Sequence, residues 1–127
     1  MKNKFTMLIA EDDIISFELY KARLEDLDLN LLHAKNGKIA VDLVKKNPDI
    51  SLILMDIRMP VLNGYDAAKQ IREFNKDIPI IAQTAFAMIP EQKTILETGF
   101  NDFLSKPVEE EKLFGLIKKY MSNQQKS

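Results

Sequence analysis

Ser51-Leu52-Ile53-Leu54-Met55-Asp56 is the stretch on which the fold assignment turns. The run from Ser51 to Met55 is short, apolar and closed by an acid, and it reads as a strand. Runs of the same kind recur at Phe5 to Ala10, Asn30 to Ala34, Ile78 to Ala82 and Asp102 to Ser105. Segments of helical period fill the gaps: about Ile14 to Leu27, Lys38 to Lys46, Tyr65 to Phe74, Glu91 to Thr98 and Glu109 to Met121. In the first of these, Phe17, Tyr20, Leu24 and Leu27 recur at spacings that keep one face apolar. Asn36-Gly37 marks a helix start, and Gly99 closes a helix in a left-handed conformation. Glu109 to Glu111 stand in the first turn of the last helix, and Lys118 and Lys119 fall in its last turn, as the helix dipole favours.

Strict strand–helix alternation predicts an α/β domain, a parallel sheet with helices on both faces. Right-handed crossovers leave few topologies, and the flavodoxin-like (βα)5 three-layer sandwich with strand order 2-1-3-4-5 is the common five-stranded choice. The 127 residues suit one domain, spanning 1–121, followed by a short polar tail at 122–127 that is expected to fray. Hydrophobic residues at 46% and charged residues at 29% are a soluble globular balance. With no cysteine, disulfides and thiolate metal sites are excluded. A formal net charge of −1 argues against broad binding to nucleic acid or an anionic membrane. No apolar run approaches the ~20 residues that span a bilayer, and Met1 to Lys4 does not lead into a signal peptide. The expected location is cytoplasmic.

Ligands of such a sheet bind beyond the carboxyl ends of its strands. There the sequence puts Glu11-Asp12-Asp13 after the first strand, Asp56 after the third, Thr84 after the fourth and Lys106-Pro107 after the fifth. Taken singly each has an ordinary reading, since an acid after a strand often caps the next helix, and Asp13 reads as such a cap. The joint arrangement is different. Two carboxylates ~5 Å apart repel by about 3 kcal/mol at an effective dielectric near 20. Glu11, Asp12 and Asp56 bring three charges against one on Lys106, which calls for a divalent cation or for protonation. All-oxygen ligands favour Mg²⁺ over zinc, with His33 read as a packed or surface imidazole remote from the site. A carboxylate beside a cation, an amine and a hydroxyl is equipped for phosphoryl transfer. Neither glycine-rich phosphate motif, G-x-x-x-x-G-K-[ST] or G-x-G-x-x-G, is present.

Over Lys4 to Met121 these residues resemble the receiver domain of response regulators in two-component signalling. The resemblance rests on Leu8-Ile9-Ala10-Glu11-Asp12, Leu54-Met55-Asp56-Ile57-Arg58-Met59-Pro60 with Asn63-Gly64, Ile80-Ile81-Ala82-Gln83-Thr84-Ala85, and Phe103-Leu104-Ser105-Lys106-Pro107, in order and at the right gaps. It implies that Asp56 takes the phosphoryl group from a histidine kinase or histidine phosphotransfer protein. It further implies Mg²⁺ held by Asp12, Asp56 and the backbone carbonyl of Arg58, with Glu11 acting through water. Lys106 and Thr84 would contact the phosphoryl group, Thr84 and Phe103 would form the switch pair, and the Lys106–Pro107 bond would be cis. The fourth helix, fifth strand and fifth helix would form the switching face and a homodimer contact. Thr84-Ala85-Phe86-Ala87-Met88 looks most like receivers of hybrid histidine kinases. Arg58 and Phe86 would flank the approach of a hydrolytic water and slow loss of the phosphoryl group. The competing reading is a Mg²⁺-dependent phosphohydrolase with an aspartyl-phosphate intermediate. It needs a second acid two residues after the nucleophile, where this chain has Arg58.

Overall fold

A computed structural model describes residues 5–85 and 88–125. Five strands and five helices alternate: β1 (Phe5–Ala10), α1 (Ile14–Leu24), β2 (Leu29–Ala34), α2 (Gly37–Lys46), β3 (Ile50–Asp56), α3 (Gly64–Phe74), β4 (Ile80–Thr84), α4 (Ile89–Thr98), β5 (Asp102–Ser105) and α5 (Glu110–Gln125). The strands form one parallel sheet in the order β2-β1-β3-β4-β5, as the alternation predicts. Strand periodicity sorts the core into two layers. Leu8, Ala10, Ile53, Met55, Ile80 and Ala82 pack with residues of α2, α3 and α4 on one face. Met7, Ile9, Leu52, Leu54, Ile81 and Leu104 pack with α1 and α5 on the other. Central β3 is buried at every position, which explains its unbroken apolar run.

Several boundaries differ from the sequence reading, each for a local reason. β4 starts at Ile80 instead of Ile78, because Asn75 Oδ1 accepts from the backbone N–H groups of Asp77 and Ile78 and holds that segment in a turn. α1 stops at Leu24, where Leu27 turns its N–H back to the Leu24 carbonyl, although Leu27 still packs on the predicted apolar face. α4 begins two residues early because Pro90 is tolerated in a first turn. α5 continues to Gln125, so the helix includes Ser122 to Gln125 of the polar tail. Lys118 and Lys119 consequently lie in mid-helix, and the last turn carries no basic residue. The predicted caps at Asp13, Asn36 and Gly99 (φ 120°) are present, as is the cis Lys106–Pro107 bond.

All strands end at one edge, and α5 returns to the opposite one, where the Tyr120 hydroxyl donates to the Asp102 carboxylate at the start of β5. Residues 5 and 125 therefore both lie at the edge away from the strand carboxyl ends. No helix among the described residues is long and apolar enough to cross a membrane.

Candidate functional site

The carboxyl ends of four strands, β1, β3, β4 and β5, build the site. After β1, the backbone of Glu11 continues the strand pairing by donating to the Ala34 carbonyl (2.9 Å), which turns its side chain inward at 2% exposure. Its Oε2 accepts from the Asp13 N–H (3.2 Å) and its Oε1 from Gln83 Nε2 (3.0 Å). Asp12 stays exposed, and Asp13 caps α1 by accepting from Ile15 N–H and Ser16 Oγ. His33 is not remote, as the sequence reading had it. Its Nε2 lies 2.8 Å from the Glu11 carbonyl oxygen while its ring stacks on Phe17 at 3.9 Å, so it braces the acidic loop from beneath.

After β3, Asp56 is 3% exposed and held by two donors, Arg58 N–H to Oδ1 (3.1 Å) and Lys106 Nζ to Oδ2 (2.7 Å). The chain then folds tightly under it. Gly64 N–H donates to the Ile57 carbonyl (2.8 Å), and a Cβ at Gly64 would sit 2.4 Å from the Asp56 carbonyl oxygen, so only glycine fits there. Leu62 N–H bonds to the Pro60 carbonyl across Val61, whose φ of 69° is left-handed, and Gly37 N–H pins the Leu62 carbonyl to α2. Thr84 is buried at the end of β4, and its carbonyl accepts from Lys106 N–H (2.8 Å), which delivers the lysine to the same edge. Phe103 pairs with Ala82 and packs on the same face as Thr84, half-buried between β5 and the α3–α4 layer. Arg58 stands exposed on the wall of a cleft of about 620 Å³, shared with Asp12, Ile57, Met59, Pro60, Asn63 and Tyr65. Phe86 lies outside the described residues.

The carboxylates of Glu11, Asp12 and Asp56 come within 4.8 Å of one another. At that distance each ionised pair repels by about 3 kcal/mol at an effective dielectric near 20. Burial, reinforced by the charge of Asp56, pushes the Glu11 pKa up, although the Asp13 N–H, the Gln83 amide and Lys106 pull against it. Burial works to lower the Lys106 pKa, but the bond to Asp56 and the charges of Asp56, Glu11 and Asp12 outweigh it and the pKa rises. Tyr20 beneath the site is also raised, by burial and then by Glu11 and Asp56. An acidic, all-oxygen donor set carrying more negative charge than its one lysine balances fits a hard divalent cation such as Mg²⁺. No acid stands two residues beyond Asp56, so the phosphohydrolase reading lacks its proton donor.

Two contributors escaped the sequence reading. His33 and Gln83 are isolated polar residues in strands, and neither carries a local sign of the Glu11 it touches.

The family model for the response regulator receiver domain matches residues 7–118. Hybrid signal transduction histidine kinase M of Dictyostelium discoideum is 35% identical over 92% of this chain. The chain spans 5% to 13% of the length of the hybrid kinases it matches in this way. Among solved structures, the receiver domain of a Pseudomonas aeruginosa sensor histidine kinase, with magnesium in its active-site cleft, is 30% identical (TM-score 0.85, covering 94% of this chain and 99% of that one). The receiver domain of a Saccharomyces cerevisiae response regulator, solved with its upstream histidine phosphotransfer protein, is 36% identical (TM-score 0.81, covering 92% and 86%). With its strand order, its clustered acids and these matches agreeing, the chain belongs to the response regulator receiver domain family of two-component signalling.

Proposed function

We propose that Asp56 accepts the phosphoryl group of a phosphohistidine on a histidine kinase or phosphotransfer protein. The supporting observation is one buried carboxylate fixed by two donors inside a cluster of acids that needs a cation. A carboxylate oxygen of Asp56 bonds to phosphorus as the phosphorus–nitrogen bond breaks, and the electron pair returns to the imidazole, which is later reprotonated. Lys106 Nζ already lies against Asp56 and passes its hydrogen bonds to the incoming phosphoryl oxygens. Thr84 sits at the same edge and donates its hydroxyl to a phosphoryl oxygen. Asp12, Asp56 and the Arg58 carbonyl would hold Mg²⁺, with Glu11 acting through water, and a bound ion would supply positive charge against the transferring oxygens. The same residues support slow hydrolysis of the aspartyl phosphate by water.

Thr84 and Phe103 share the α3–α4 face, which supports their reading as a switch pair: rotation of the hydroxyl toward phosphate vacates space into which the ring turns. The surface of α4, β5 and α5 then carries the signal and is the face through which two copies would pair. On this reading the domain works in the cytoplasm, beside the protein that donates its phosphoryl group.

Incubating the protein with Mg²⁺ and a small acyl phosphate should add one phosphoryl group by intact mass, and excess chelator should prevent it. Asp56→Asn should gain none. Stoichiometric labelling of that variant would sink the assignment.

A further inference from the structure

Consecutive residues of β4 serve opposite faces. Thr84 follows Ala82 toward α3 and α4, while Gln83 follows Ile81 toward α1 and α5, where it is 1% exposed. Gln83 is in register with Asp56, and Ala10 with Met55, so Glu11, Asp56 and Gln83 form one row across β1, β3 and β4. The backbones of β1 and β4 stand about 10 Å apart across β3. The Gln83 amide spans that gap to reach Glu11 Oε1 at 3.0 Å. An ionised carboxylate only accepts, so toward that form of Glu11 the amide presents its nitrogen. Its own oxygen is then left buried with no hydrogen-bond partner among the described residues.

A glutamine that served packing alone would carry that desolvation penalty to no purpose, since methionine fills a similar volume with no polar atom. The amide instead fixes an orientation. With Oε2 held by the Asp13 N–H and Oε1 by Gln83, both oxygens of Glu11 are tied at opposite ends of the carboxylate, and its plane cannot turn. One of its oxygens lies within 4.8 Å of carboxylate oxygens of Asp12 and Asp56.

We infer that Gln83 is a positioning residue of the divalent-cation site, holding the Glu11 carboxylate in the orientation that the cation and its water require. This rests on the reading of Glu11, Asp12 and Asp56 as a Mg²⁺ site. Glu11, acting through water, is itself an outer partner of the site, a class that typically contributes 10- to 100-fold in metal affinity, and loss of its orientation forfeits part of that contribution. Gln83→Met keeps the length and removes the donor, and Gln83→Asn keeps the donor but cannot span β3. Both should weaken Mg²⁺ binding several-fold in calorimetric titration. A merely structural glutamine would instead change the melting temperature in chelator and leave the Mg²⁺ Kd alone.

In a Glu11→Gln background, adding Gln83→Met should leave the Mg²⁺ Kd unchanged, because there is no carboxylate left to orient. A wild-type Kd in Gln83→Met, or an equal loss in both backgrounds, overturns the inference. Should the buried substitutions prevent folding, the wild-type side-chain amide of Gln83, followed by ¹H–¹⁵N NMR, decides the matter. Its resonances should move with Mg²⁺ saturation, and resonances that stay fixed reject the role. Absence of any Mg²⁺ binding to wild type would defeat the underlying site reading, and this inference with it.

Discussion

Asp12 is the exposed member of the acid cluster and therefore the one whose removal disturbs packing least. In metal-free protein its charge repels Glu11 and Asp56, and its weaker attraction to Lys106 offsets only part of that. Solvent screening reduces that repulsion well below its value for a buried pair, so Asp12→Asn should raise stability in chelator by about 1 kcal/mol. Mg²⁺ reverses the order, since a ligand bound only by the native state stabilises wild type by mass action and the variant far less. Thermal melts with and without Mg²⁺ check both signs, and an equal Mg²⁺ shift in the two proteins removes Asp12 from the ligand set. At this scale the sequence was legible wherever a side chain ends a strand, which is why Glu11, Asp12, Asp56, Thr84 and Lys106 could be picked out together. It was silent on Gln83, whose contact with Glu11 crosses 72 positions of chain and leaves no periodicity behind. His33 was misplaced although the expected strand order already set β2 beside β1: the register that puts His33 opposite Ile9, two residues short of Glu11, is a property of the assembled sheet.

Helix α1 leaves the site with Ile14, Ile15 and Leu19 in solvent, Ile15 at 75% exposure, directly beyond the acids at the end of β1. Val61 and Met88 add apolar surface just beyond the ends of β3 and β4. An apolar rim around a charged cleft suits a protein donor better than a small anion. Ile15→Lys should thus slow transfer from a histidine phosphotransfer protein at least several-fold and leave labelling by a small acyl phosphate unchanged, as paired transfer assays would reveal. The loop after β3 stores strain of its own, because a β-branched residue sits at positive φ in a three-residue turn. Val61→Gly removes the strain while adding chain entropy to the unfolded state, so the expected gain is only about 1 kcal/mol in urea unfolding. Loss of stability would show that Val61 is not strained. Neither feature was visible in the pattern of apolar spacing, which reports buried faces and not exposed ones. The same limitation displaced β4 and α1, where Asn75 delays the start of the strand and Leu27 ends the helix through bonds that periodicity does not encode.

For the whole molecule, the alternation of short apolar runs with helical segments carried the architecture, since parallel strands and right-handed crossovers leave almost no freedom. The exact reach of α5 was not legible, because Ser122 to Gln125 are polar and give no apolar period to follow. That helix closes the molecule through Tyr120, whose phenol is pushed above its ordinary value of 10.0 by burial and by the Asp102 carboxylate. A folded pKa above the unfolded one means stability that is complete below pH 10 and lost as pH climbs toward the folded value. Tyr120→Phe should cost about 1 kcal/mol at pH 7, Asp102 being partly solvated, and should shallow the alkaline fall. Urea midpoints at pH 9 and pH 11 measure both effects, and an unchanged slope excludes Tyr120 as a source. The return of α5 has a second outcome. Because residues 5 and 125 leave from the rear of the sheet, whatever is spliced to either end sets out from the side away from Asp56. The domain is a cassette with its wiring at the back, able to present the same open face to a donor alone or threaded into a much longer polypeptide.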